Sequence, residues 1–394
     1  MNSLDQPLPR VVRLGVAGLG RAFSVMLPTF LRDARVKLVA AADPRPEARA
    51  QFARDFGGKA YRSVEELCAD GDVEAVYVAT PHQHHAAHAA LAAGAGKHIL
   101  VEKPIALALA DAQAMVEAAR RAGVHLIVGH SHSFDAPILR ARALIEGGAY
   151  GAVRMISALN YTDFLYRPRR PEELDTGQGG GALFNQAPHQ VDIVRLLGGG
   201  KVRSVRAQTG AWDRARATEG AYAALLTFED GAFASLTYSG YGHFDSDEFQ
   251  GWIGEMGQAK TAGASPRRFA DAAEEEAFKA ARTYGGAGWQ PPAPQTLAHQ
   301  HFGTVIVSCE RADLRPLPNG VVIYDDAGAR LDELPLPAVP RSEVIDELYA
   351  AVVHGKPPRH DGRWGLATLE VCLAMLQSAR EGREVALQHQ VALR

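Results

Sequence analysis

Lys103, Asn185 and His189 are the side chains with which this chain could handle a proton at a reacting carbon. Lys103 lies in KHILVEKP, after a β-type apolar run and before Pro104, where a strand end holds it and can aim it into a cleft. A structural ion pair with Glu102 is the plainer alternative. Asn185 and His189 are four apart in GGGALFNQAPHQVD, so a helix starting after the glycines puts both on one face. An asparagine amide donates and accepts hydrogen bonds, whereas a neutral imidazole accepts a proton near neutral pH.

The N-terminal third reads as the scaffold for such a cleft. VVRLGVAGLGRAF is a strand, a tight glycine turn and a helix reaching about Leu31. Gly18 and Gly20 give the backbone freedom to bring amides and a helix N-terminus, beginning at Arg21 and Ala22, close to a pyrophosphate. Phe23 fills the third small-residue position of that pattern, which predicts a helix set slightly off the strand. The second strand ends in Asp43, placed to hydrogen-bond an adenosine ribose and to disfavour a 2′-phosphate. NAD is therefore the expected cofactor, although Arg45 could reverse the preference to NADP.

Further apolar strands alternate with alanine-rich helices, as parallel βαβ units require. Their C-terminal ends carry Thr80-Pro81-His82, Glu102-Lys103-Pro104 and Gly129-His130. His84 and His88 have metal-compatible spacing, but no acid or cysteine accompanies them, and no metal is expected. The span 262–296 reads as an insertion, a charged helix and then a loop, over or beside a sheet.

Composition narrows the partners. The chain has 394 residues, 47% hydrophobic, enough for two domains with sizeable cores. A formal charge of -3 provides no field for nucleic acid or an anionic membrane, which leaves small-molecule chemistry. Three widely spaced cysteines suit a reducing compartment, and the leader MNSLDQPLPR lacks an apolar core. The expected location is the cytoplasm.

GVAGLGRAF, Asp43, TPHQHH with His85 at the family's histidine position, GKHILVEKP and GGGALFNQAPHQVD together resemble the glucose-fructose oxidoreductase/inositol dehydrogenase (Gfo/Idh/MocA) family. The resemblance implies an α/β protein: a Rossmann domain over 1–129 and a substrate-binding domain over 130–394. The second domain is built on a large, open, mostly antiparallel sheet that often forms the dimer interface, so a homodimer or homotetramer is expected. Cofactor contacts are expected from Gly18, Gly20, Arg21, Ala22, Asp43, Arg45, Thr80, Pro81, His82, His85, Glu102 and Lys103. In the family the i, i+4 pair is commonly Asp and His, acting with the lysine on the substrate's carbinol. Here Asn185 replaces the acid, so base duty passes to His189 or Lys103.

NYTDFLYRPRRPEELDTGQGGG, with FNQAPHQVD, HFDSDEF and HQHFGTVIVSCER, is similar to the phthalate 4,5-cis-dihydrodiol dehydrogenases of that family. Arg167, Arg169 and Arg170 could bind a dicarboxylated cyclic diol, or form a solvated loop neutralised by Glu172, Glu173 and Asp175. His130 and His132 fall at the domain crossing and could contact substrate or serve structure. The expected reaction is oxidation of a cyclic cis-diol to a catechol. His189 takes the hydroxyl proton, Lys103 stabilises the oxyanion, and hydride passes to nicotinamide. A sugar or inositol dehydrogenase, an NAD-assisted glycosidase and a non-catalytic dinucleotide sensor are the rival readings.

Overall fold

The computed structural model describes residues 10–262, 269, 271–291 and 298–394. Its first sheet has six parallel strands: β1 Val12–Ala17, β2 Val36–Ala42, β3 Lys59–Tyr61, β4 Ala75–Val78, β5 His98–Val101 and β6 Leu126–Val128. Their order is β3-β2-β1-β4-β5-β6, with a topological switch between β1 and β4. The central strand β4, AVYV, reads as a continuous apolar run because helices cover both faces of the sheet. Those helices are α1 Arg21–Arg32, α2 Pro46–Phe56, α3 Val64–Ala69, α4 His85–Gly94 and α5 Leu109–Ala122.

After α6 Ala136–Glu146 the chain enters a nine-stranded sheet. Its strands are β7 Val153–Tyr161, β8 Val202–Gly210, β9 Ala221–Phe228, β10 Phe233–Ser239, β11 Thr304–Cys309, β12 Asp313–Leu317, β13 Gly320–Asp325, β14 Gly328–Glu333 and β15 Val385–Ala386. The order is β14-β13-β12-β11-β7-β10-β9-β8-β15, and among these pairings β10 with β7 is parallel while the rest are antiparallel. Side chains alternate along β7, β9 and β10, with one face buried under helices and the other exposed.

Two short helices, α7 Gly181–Asn185 and α8 Ala187–Leu197, cross the buried face beside the cleft. The single helix expected across Asn185 and His189 is broken at Gln186, because Pro188 has no N–H with which to continue the ladder. From the expected insertion, α9 Ala272–Arg282 and the turn after it are described; residues 263–268, 270 and 292–297 lie outside the described residues. Two final helices return towards the first domain. α10 Ser342–His354 joins its core through Val344, Ile345 and Leu348, and α11 Gly362–Glu381 packs between the domains. Among the described residues no helix is long and apolar enough to cross a membrane.

Candidate active site

The cofactor end is built by the turn from β1 to α1. Gly18 has φ +93°, and a Cβ there would lie 2.8 Å from the Ala79 carbonyl oxygen. At Gly20, by contrast, a Cβ would meet nothing within 4 Å, and no side chain caps α1. A helix start with open donors and close backbone access fits a dinucleotide pyrophosphate. Arg21 is the first residue of α1; desolvation, then the charges of Arg167, Arg341 and Arg282, lower its pKa. Such a gathering of like charges suits an anion. Ala22 is half-buried behind it.

Asp43 is buried at the end of β2, where its carboxylate accepts Leu19 N–H at 2.8 Å and Arg45 N–H at 2.9 Å. The Arg45 guanidinium folds back over the same carboxylate. Thr80 and Pro81 follow β4 against Gly18, and the Thr80 hydroxyl is 3.0 Å from His88 Nδ1. His82 reaches across to the second domain, its Nδ1 3.4 Å from Gly179 O.

Two expected cofactor ligands hold the frame instead. His85 is fully buried, with its ring nitrogens each 2.9 Å from a carbonyl, one of Pro104 and one of Thr80. Burial pushes its pKa down to about 4. A neutral ring has one N–H and can donate it to only one of these carbonyls at a time, but both ring nitrogens face the backbone at the ends of β4 and β5 rather than a cofactor. Glu102 is buried and accepts the Tyr77 hydroxyl at 2.5 Å; burial raises its pKa. Its carboxyl faces the first domain's core.

Lys103 donates from Nζ to the Asn185 carbonyl at 2.9 Å, which ties the two domains across the cleft and leaves two N–H groups for a ligand. Burial lowers its pKa to about 8, against the pull of Glu102. The Asn185 side chain turns away from the expected role, because its amide donates to Gly179 O at 3.2 Å and Gly181 O at 2.9 Å. It clamps the glycine run rather than orienting a substrate hydroxyl. His189 stands against His132 at 4.8 Å and Phe302 at 5.0 Å between ring centroids, with Nδ1 unpaired. Burial, then Lys103 and His132, drives its pKa well below the ordinary value. The ring is therefore neutral at neutral pH.

His132 is buried and its Nδ1 lies 2.7 Å from Asp135, so it walls the site as an oriented ring. His130, stacked on Phe134 and 2% exposed, is closed off from a substrate. Burial lowers its pKa to about 3.

The three arginines separate. Arg167 is held by Asp163 at 2.8 Å and Glu255 at 3.2 Å; burial opposes its charge, but these acids outweigh it and raise its pKa. Arg170 pairs with Glu172 at 3.0 Å and Glu173 at 3.6 Å, as in the solvated-loop alternative. Arg169 has no acid within ion-pair distance among the described residues. Its guanidinium stacks 3.8 Å over the Phe164 ring and donates to the Phe164 carbonyl from Nε and one Nη. Burial lowers its pKa to about 10 against the pull of Glu173, so it stays charged at neutral pH, and Nη1 has no hydrogen-bond partner among the described residues. The backbone N–H of Arg169 is anchored by Glu275 of α9 at 2.7 Å.

Several neighbours escaped the sequence reading. Glu255 neutralises Arg167 from 88 positions away. Arg341, at the start of α10, reaches Gln300 at 3.0 Å and the sulfurs of Met26 and Met256. Asp192, three residues after His189, receives Ser131, Ser133, Trp364 and Thr368 and pins α8 to α11. A buried-type acid in an apolar helix was a visible signal for it. His84 and His88 stack at 5.6 Å, and no cluster of three or more possible metal ligands occurs among the described residues.

Comparison with known proteins agrees with this geometry. Residues 12–130 match the oxidoreductase family with an NAD-binding Rossmann fold, and residues 138–286 match the GFO/IDH/MocA C-terminal domain. The chain belongs to the Gfo/Idh/MocA family. Among members of that family it is 48% identical, over 94% of its length and 95% of the relative's, to 1-carboxy-3-chloro-3,4-dihydroxycyclohexa-1,5-diene dehydrogenase of Comamonas testosteroni. A Bordetella bronchiseptica RB50 structure provisionally assigned as a dehydrogenase superposes with TM-score 0.89 at 42% identity, covering 96% of this chain and all (100%) of that one. The WlbA dehydrogenase of Bordetella pertussis, solved with NADH and UDP-GlcNAcA, gives TM-score 0.71 at 25% identity, covering 97% of this chain and 99% of that one. As a Gfo/Idh/MocA member with an NAD-binding Rossmann domain, the protein is an oxidoreductase of the dehydrogenase type.

Proposed function

We propose that the protein oxidises a ring cis-diol carrying one carboxylate to the corresponding catechol, using NAD. The observation that carries this reading is Arg169. Of the three neighbouring arginines it alone has no acid within ion-pair distance among the described residues, Glu173 acting on it from farther off, and its charge opposes that of Lys103. One open guanidinium suits one carboxylate, held by charge-assisted hydrogen bonds. The two carboxylates of a phthalate-type diol would need a second, and Arg167 and Arg170 are committed to acids. The Comamonas relative, whose name specifies a single carboxyl on a dihydroxycyclohexadiene, supports the same class.

Bound nicotinamide supplies the hydride acceptor. The chain's own residues handle the rest. Neutral His189 takes the hydroxyl proton, while the Lys103 ammonium holds the negative charge that develops on that oxygen. Asn185 keeps the glycine run and, through its carbonyl, Lys103 in place. The resulting ring ketone tautomerises to the aromatic catechol, which draws the reaction forward. A second copy of the chain covering the exposed sheet face would complete a homo-oligomer.

The test is NADH formation with a panel of a carboxylated cyclohexadiene cis-diol, its phthalate-type dicarboxylate analogue, myo-inositol and glucose. The monocarboxylate diol should be turned over best, by at least about tenfold in kcat/KM. A preference for inositol or glucose would replace this reading with a polyol or sugar dehydrogenase.

A further inference from the structure

Asp43 and Arg45 stand two residues apart with opposite preferences: the acid suits a ribose 2′-hydroxyl, and the arginine suits a 2′-phosphate. A strap from the second domain settles which one acts. Phe23, the bulky residue in the small-residue position of the glycine turn, is wholly buried, and Tyr284 packs edge-on against it with centroids 5.0 Å apart. Tyr284 is itself fully buried. Trp289 lies at 4.8 Å on its ring, and its hydroxyl donates to Asp55 of α2 at 2.6 Å. Gly285 follows with φ +79°, and a Cβ there would stand 2.6 Å from Ala48 Cα. The strap is seated on α1 and α2 with no slack, and its Tyr284 carbonyl meets Arg45.

That carbonyl completes a lock. Arg45 donates Nε to Asp43 at 3.0 Å, Nη2 to Leu19 O at 2.9 Å and to Asp43 at 3.2 Å, and Nη1 to Tyr284 O at 3.2 Å. These contacts use four of the five N–H groups of a guanidinium, so the two parallel donors that grip a phosphate are gone. A ribose hydroxyl needs only to displace the 3.2 Å contact on Asp43, the longer of the two guanidinium bonds to that carboxylate.

We propose that Tyr284, contributed by the second domain, is a cofactor-specificity residue: its carbonyl locks Arg45 onto Asp43 and so excludes NADP in favour of NAD. Arg45 is the positioned group and Tyr284 the positioning one.

Calorimetric titration of the full chain with NADH and with NADPH tests this without any substrate, so it stands or falls apart from the catalytic reading. Wild type should bind NADH the more tightly. Tyr284→Ala should shift the affinity ratio towards NADPH by about tenfold or more, and Gly285→Ala, which displaces the carbonyl without emptying the core, should shift it the same way. Adding Arg45→Ala to either should abolish the gain. Arg45→Ala alone leaves the strap intact and should change NADPH affinity by less than about twofold. An unchanged ratio in a cooperatively folded strap variant overturns the proposal. So does loss of NADPH affinity in Arg45→Ala alone, or equal affinity of wild type for both nucleotides.

Discussion

In the proposed mechanism Lys103 and His189 divide charge and proton between them, and the burial of each sets its part. Burial brings Lys103 down to about 8, so at pH 7 it is mostly ammonium, and raising the pH through that value removes the charge. His189 lies well below its ordinary pKa, so it gains a proton only in clearly acidic solution and is a competent base across the neutral range. The rate of diol oxidation should therefore be level from about pH 6.5 to 7.5 and fall above about 8. A rate that climbs through pH 8 instead would make Lys103 the base. His189→Ala should lose about 10² to 10⁴ in kcat with NADH affinity intact by calorimetry, and near-normal turnover would remove the histidine from the chemistry.

At the level of elements, the break between α7 and α8 decides what Asn185 does. Its amide closes the turn from Gly179 to Gly181, so Asn185→Asp removes two hydrogen bonds and sets a carboxylate against two carbonyl oxygens. Denaturant unfolding should report a loss of about 2–4 kcal/mol. Unchanged stability with a displaced pH–rate profile would mean that the residue faces substrate. The alternation of strands and helices was legible in the sequence, since buried parallel strands are continuous apolar runs, and α1 ends within a residue of the expected Leu31. The strand-end positions of Asp43 and Lys103 followed from the same pattern. Local spacing could not show that Pro188 splits the helix after Asn185, nor that Glu255 and Tyr284 reach Arg167 and Arg45 from 88 and 239 positions away. Which arginine stays open is a fact of tertiary ion pairing, and the sequence offered three equivalent candidates.

Across the whole molecule, the helices cover one face of the nine-stranded sheet and leave Met155, Leu225, Phe233 and Ile306 exposed on the other. An apolar face of this kind needs a partner, and a second copy of the chain is the expected one. Sedimentation should give a dimer or tetramer, and Leu225→Lys with Ile306→Lys should yield smaller species; a monomeric wild type would leave the face unexplained. The two domains meet at Lys103 and the Asn185 backbone carbonyl, where, in the proposed reading, cofactor on one side and ring diol on the other would face the same few side chains. Recognition of a single carboxylate by Arg169 at this meeting point is the core of the proposed function. It is tested most directly by comparing kcat/KM for a carboxylated cyclohexadiene cis-diol with that for its neutral carboxamide, in wild type and in Arg169→Ala. Wild type should favour the carboxylate by about tenfold to a hundredfold, from ~1.5–3 kcal/mol for a charge-assisted hydrogen bond, and Arg169→Ala should erase the difference. Equal use of acid and amide by wild type, or a preference that survives the substitution, would contradict it.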